Sequence, residues 1–226
     1  MNRFWRLLRN LWSKPMPDVS DALTEGTLDL PDGTRVTLSL HPLGDLVLPT
    51  GQIVASDPFI ADDPPYTRGV APGRYPVLVN VALINTDSRV AYAILRFSGQ
   101  RPVQWEMARY REHDPATPGE NEFSGYGVDS GAGCFIDAGA VRILVERTAA
   151  DGRENQDLTQ RMAETYVDTW SWVNYVLDPD TGANVIAFSS GWGDGVYPSF
   201  WGLDETGAPV CLVTDFRVFQ PFRRRR

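Results

Sequence analysis

From Gly26 onward the chain is written in short alternating runs of apolar and polar residues. RYPVLVNVALI (74–84) places Tyr75, Val77, Val79, Val81 and Leu83 at every second position, the period that puts side chains on one face of a β-strand. RVAYAILRF (89–97) and VQWEMARY (103–110) follow across the short turns NTDS and GQRP, so the three runs predict an antiparallel meander. Upstream, GTLDL and TRVTLSL flank PDG (31–33), a hairpin signature because Asp-Gly accepts the positive φ of a tight turn. DLVLPTGQIVASDP (45–58) reads as two short strands around Pro49-Thr50-Gly51. WVNYVLD (172–178), ANVIAFSS (183–190), VYPSFWGLD (196–204) and PVCLVTDFRVF (209–219) resume the strand pattern, with PDTG (179–182) and DETG (204–207) as turns. Pro198 lacks a ladder donor, which predicts an edge or a bulge in its strand.

Two segments break the alternation. AVRILVER (140–147) spaces Val141, Leu144 and Val145 as a helix does, with Asp137 standing where an N-cap belongs. QDLTQRMAETYVDTW (156–170) predicts a second helix. With about ten to twelve strands and no βαβ alternation, a parallel sheet is not expected. The prediction is a mainly β (α+β) fold: an antiparallel β-sandwich or barrel-like core with two or three flanking helices. Residues 1–18 form a separate N-terminal segment and linker, 19–220 a single β-rich domain, and 221–226 an Arg-rich tail.

Composition sharpens this. Apolar residues make up 42% of the 226, enough for a packed core rather than a disordered chain. The net charge of -8 is unevenly spread. All 29 acidic residues lie between residues 15 and 216, where 12 basic residues leave a net -17, while Arg3, Arg6, Arg9, Lys14, Arg217 and Arg223 to Arg226 lie outside. An acidic body repels phosphate, so it is not expected to bind nucleic acid. MNRFWRLLRNLW gathers Phe4, Trp5, Leu7, Leu8, Leu11 and Trp12 on one helical face, with Arg3, Arg6, Arg9 and Asn10 mainly on the other. Arginines interrupt the apolar run, so it does not read as a signal peptide. A basic amphipathic helix suits a peripheral membrane or partner contact by residues 3–14, or packing on its own domain. No run reaches the roughly 18 apolar residues that span a bilayer. Two distant cysteines, Cys134 and Cys211, suggest buried thiols in a cytoplasmic protein rather than a disulfide framework.

Candidate chemistry concentrates in two similar stretches, GYGVDSGAGCFID (125–137) and SGWGDGVYPSFWG (190–202). Each sets an aromatic residue between two glycines with an Asp just after. Such loops can line a shallow ligand pocket, here with Tyr126, Trp192, Tyr197 and Trp201 as aromatic walls and Asp129 and Asp194 as polar anchors. A hydrolase alternative places Asp129 and Asp194 with Cys134 as nucleophile or Glu106 as acid–base group. A thiol nucleophile needs a base or positive field, and Glu106 turned inward would need a partner such as Arg74 or Arg96. Two histidines and two unpaired cysteines argue against a zinc or copper site, and no EF-hand pattern is present, so no metal or cofactor is expected. The leading expectation is a binding module for an unknown protein or small molecule.

LPTGQIVASDP, PPYTRGVAPGRYPVLV, GYGVDSGAGCFID and SGWGDGVYPSFWGLDETGAPVCLVTDF, running from Leu48 to Phe216, resemble a bacterial family of proteins of unknown function, number 4241. The resemblance implies a bacterial source. It carries no activity and no catalytic residues to transfer, and it leaves the basic N-terminus and the Arg tail uncovered.

Overall fold

The computed structural model describes residues 19–110, 124–151 and 153–219. The expected N-terminal helix, nearly all of the 113–124 polar loop and the 221–226 tail lie outside the described residues. The strands are β1 (Gly26–Asp29), β2 (Arg35–Leu48), β3 (Ile53–Ser56), β4 (Gly73–Ile84), β5 (Asp87–Arg96), β6 (Gln104–Met107), β7 (Tyr126–Val128) and β8 (Ala132–Asp137). Two helices follow, α1 (Ala138–Asp151) and α2 (Arg153–Glu164), then β9 (Trp172–Asp178), β10 (Ala183–Ser189), β11 (Gly195–Tyr197), β12 (Ser199–Leu203) and β13 (Pro209–Asp215).

The strands build a seven-stranded sheet ordered β1-β2-β4-β5-β13-β12-β6, a four-stranded sheet ordered β3-β8-β10-β9, and a two-stranded ribbon of β7 and β11. Every pairing is antiparallel. The mainly β, antiparallel reading therefore holds, with two α-helices among the described residues.

The period of two sorts the smaller sheet into two cores. Ile53, Ala55, Phe135, Ile186 and Phe188 face the large sheet. The intervening Val54, Cys134, Ile136, Val185 and Ala187 face Ala140 and Leu144 of α1 and Leu158 and Met162 of α2. The result is three layers: large sheet, small sheet, helix pair. Asn184 stitches the two sheets together: its amide oxygen accepts the Val47 N–H at 2.8 Å, and its amide nitrogen donates to the Asp45 carbonyl at 2.9 Å. Asp137 caps α1 through the Gly139 N–H at 2.8 Å and accepts the Thr50 N–H and hydroxyl at 3.0 and 2.8 Å. One carboxylate thus starts the helix and pins the turn between β2 and β3.

Four expectations need correction. First, the meander stops at β5. β6 pairs with β12 at the far edge, placing Trp105 opposite Gly202. A Cβ on Gly202 would lie 3.0 Å from the Trp105 ring, so the missing side chain makes room for the indole. Second, the run before Pro49-Thr50-Gly51 is not a short strand of its own but the end of β2, which begins at Arg35; the run after it, β3, pairs in the other sheet with β8. Third, VYPSFWGLD is two strands. It breaks at Pro198, which has no N–H to continue a ladder and whose carbonyl accepts the Asp215 N–H at 3.0 Å. Fourth, the second helix begins earlier and ends at Glu164. Asp168 and Thr169 adopt positive φ of 37° and 75°, a backbone that no helix accommodates.

Candidate functional site

The two glycine–aromatic stretches, about seventy residues apart, are hydrogen-bonded to each other. β7 and β11 pair in the register Gly195↔Val128, Val196↔Gly127 and Tyr197↔Tyr126. Asp129 and Asp194 are the next residue on each strand beyond the Gly195–Val128 pair, so they flank the same end of the ribbon. Both are exposed.

A buried carboxylate holds the first loop. Asp57, 1% exposed, accepts the N–H groups of Asp129 and Ser130 at 3.0 and 2.9 Å and the Ser130 hydroxyl at 2.8 Å. It also accepts the Phe59 N–H at 2.9 Å, which fixes its own turn. The sequence placed Asp57 only in an acidic group with Asp62 and Asp63. What it grips is 72 residues downstream, and no local pattern signals that.

The second loop is tied to the first and also closes on itself. The Ser190 N–H reaches the Gly131 carbonyl at 3.0 Å, and the Ser190 hydroxyl reaches the Gly193 carbonyl at 2.9 Å. The Tyr197 hydroxyl donates at 2.6 Å to the Gly193 carbonyl. Gly191 is required twice over: its φ is +59°, and a Cβ there would lie 2.9 Å from Cβ of Phe216.

Where the first loop runs into β8, a cleft of about 450 Å³ opens. One side is Ser130, Gly131 and Ala132, and the opposite side is Thr159, Met162 and Ala163 of α2. Phe59, Ser171 and Ser189 complete it, so the lining is hydroxyl and apolar, with no charged side chain. Nothing in the sequence announced this cleft, because its residues come from five separated segments.

The expected aromatic wall does not form. Tyr126 is fully buried, and Tyr197 and Trp201 are buried as well. Tyr197 packs edge-on against Phe216, and Trp201 against Phe97 and Tyr66. These rings serve the core between the sheets rather than a shallow pocket. Trp192 differs: it is 46% exposed, donates from Nε1 to the Val218 carbonyl at 3.3 Å, and stacks 4.9 Å from the Arg89 guanidinium.

The hydrolase constellation does not assemble either. Cys134 is fully buried on the helix-facing side of β8, and burial together with Asp57 and Asp63 pushes its thiol well above the ordinary range. That is the reverse of what a nucleophile needs. Glu106 sits on the edge strand β6 and is paired with Arg68 at 2.9 Å, neither Arg74 nor Arg96 being its partner. The Arg68 guanidinium in turn lies 5.8 Å from the Trp201 ring. Among the described residues no group of three or more His, Cys, Asp or Glu is placed to hold a metal ion. No helix among them is long and apolar enough to cross a membrane.

Geometry therefore defines an antiparallel β scaffold that joins two glycine-rich loops beside a cleft lined by hydroxyl and apolar side chains. The family model described as "Protein of unknown function (DUF4241)" matches residues 46–214, and the chain belongs to that family. The match runs from β2 to β13 and includes both loops, Asp57 and every residue of the cleft. No curated protein and no solved structure matches the chain.

Proposed function

We propose that this protein is a binding module whose recognition surface is the end of the β7–β11 ribbon together with the adjoining cleft. The observation that carries the reading is the pairing of Val128 with Gly195, which brings Asp129 and Asp194 to one ribbon end. Ser130, the residue after Asp129, already lines the cleft. A small molecule with an uncharged, partly apolar body fits the hydroxyl and methyl lining, and the two carboxylates at the ribbon end favour a neutral or cationic group over an anion. Trp192, exposed on the same loop as Asp194, offers an aromatic face.

Binding is favoured over hydrolysis because Cys134 is buried with a raised thiol pKa and Glu106 is already paired. A ligand-observed NMR screen with fragments of all three charge types tests the proposal on the full chain. Neutral and cationic fragments should bind saturably and lose binding in Ala163→Trp, whose indole fills the cleft from α2. Binding that is unchanged by Ala163→Trp, or hits that are mainly anionic, would refute it.

A further inference from the structure

Between α2 and β9 the chain makes a two-residue hairpin. Val167 and Trp170 exchange both backbone hydrogen bonds, at 2.8 and 3.2 Å, around Asp168 and Thr169. Both central residues have positive φ, 37° and 75°, as in a type I′ turn, whose second central position is normally glycine. A β-branched residue in that conformation is an outlier that costs free energy, and it persists only where its surroundings over-determine it. The Thr169 hydroxyl supplies the reason. It lies 3.1 Å from Oδ1 of Asp87 and against the Ser88 carbonyl, at the start of β5. Glycine would relieve the backbone and lose this tie.

The same carboxylate holds a second partner. Arg89, two residues along β5, meets Asp87 with two N···O distances of 3.0 Å. Its guanidinium is the one that stacks on the Trp192 ring. The pair is mostly covered, with side chains 25% and 34% exposed, so solvent screens it less than a surface ion pair. These contacts reach both walls of the cleft. On one side the hairpin follows Met162 and Ala163 directly and leads into Ser171, all three in the cleft lining. The Tyr166 N–H donates to the Ala163 carbonyl at 3.3 Å, and the Thr165 hydroxyl accepts the Trp172 N–H at 3.0 Å. On the other side Trp192 belongs to the loop that Ser190 ties to Gly131. Trp170, buried and tilted on His41 at 5.1 Å, anchors the far strand of the hairpin, so loss of the Thr169 tie loosens the hairpin without detaching it.

We propose that Asp87 is the clasp of the cleft and Thr169 its positioning residue. One carboxylate holds the α2-side hairpin through Thr169 and the second loop through Arg89 and Trp192, and so fixes the spacing of the two walls. Thr169 acts through the wall it anchors and touches no ligand itself. Its strained backbone is tolerated because the hydroxyl at that position makes the tie. The clasp bears on binding only if the cleft is the ligand site proposed above, whereas its test needs no ligand, so the two readings fail separately.

Hydrogen exchange read by mass spectrometry on the full chain tests this. Thr169→Gly relieves the turn and removes the hydroxyl, whereas Thr169→Ser keeps the hydroxyl. A purely local turn role predicts that glycine leaves exchange of residues 163–171 unchanged or slower. The clasp predicts exchange there about five- to tenfold faster in Thr169→Gly and close to wild type in Thr169→Ser. Asp87→Ala should accelerate both segment 163–171 and segment 190–195. Thr169→Val, which keeps the branched shape without the hydroxyl, reads the same tie should glycine rearrange the turn, and Asp87→Asn, which weakens the charge on both partners, stands in should Asp87→Ala fold poorly. Unchanged or slower exchange of 163–171 in Thr169→Gly, equal acceleration by serine and glycine, or an Asp87 effect confined to one segment would overturn the proposal.

Discussion

Replacing Asp57 should loosen the site before it unfolds the protein. The carboxylate is buried and accepts four hydrogen bonds, two on each oxygen: Phe59 N–H and the Ser130 hydroxyl on Oδ1, and the Asp129 and Ser130 N–H groups on Oδ2. Bonds to a charged acceptor contribute about 1.5–3 kcal/mol each when deleted singly. They are not additive within one cluster, and Asp129 and Ser130 are exposed, so water can recover part of the loss. The net cost of Asp57→Ala should be about 3 kcal/mol. For a chain of this size that is a fall of roughly 6–12 °C in Tm. Asp57→Asn keeps one acceptor oxygen and should lose about half as much. Differential scanning calorimetry reads both, and a double-mutant cycle with Ser130→Ala should show coupling of at least about 0.5 kcal/mol. A Tm within about 2 °C of wild type for Asp57→Ala, or strict additivity with Ser130→Ala, would refute the claim that Asp57 holds the loop.

Gly191→Ala should destabilise by roughly 1–3 kcal/mol, since the new methyl meets both a left-handed backbone and Phe216; urea melts with unchanged m-value would confirm it, and a neutral effect would count against the loop geometry. Neither thiol should react with Ellman's reagent in the native state at pH 8, because burial raises Cys134 well above its ordinary range and pushes Cys211 up to about 12. Both should react once guanidinium unfolds the chain, and rapid native labelling of Cys134 would reopen the thiol-nucleophile reading. Burial raises the Asp63 carboxyl above its ordinary 3.8 despite the 2.7 Å hydrogen bond from Ser56. The folded state therefore binds this proton more tightly than the unfolded state, and ionised Asp63 costs stability at pH 7. Asp63→Asn should be the more stable protein at neutral pH. Its advantage should shrink as pH falls through the raised folded value and vanish below 3.8, and a pH-independent difference would contradict this.

Alternation of period two announced the strands, because a half-buried or doubly buried strand must repeat at that spacing. Asp137 was readable as a cap because capping is local. Pairing was less legible. β6 follows β5 closely, yet its partner is β12, and the choice rests on the space that Gly202 leaves for Trp105. The likeness of the two glycine-rich stretches singled out two segments that the fold pairs in the β7–β11 ribbon. The composition of those loops suggested aromatic walls, whereas the rings of Tyr126, Tyr197 and Trp201 are consumed by the core. Period two in a segment this short does not say which face looks inward when the chain changes sheet at Pro198. Asp57, Ser171, Ser189 and Met162 acquire their roles only through tertiary contacts, which no spacing in the sequence encodes.

The central claim is that the joined loops and the cleft beside them form one ligand site. A fragment screen by NMR on wild type and Ala163→Trp, with Asp129→Asn/Asp194→Asn as a third sample, tests it most directly. The account predicts neutral and cationic ligands whose binding is abolished by the tryptophan, with the cationic ones weakened by loss of the two carboxylates. Ligands that bind all three proteins equally would contradict it.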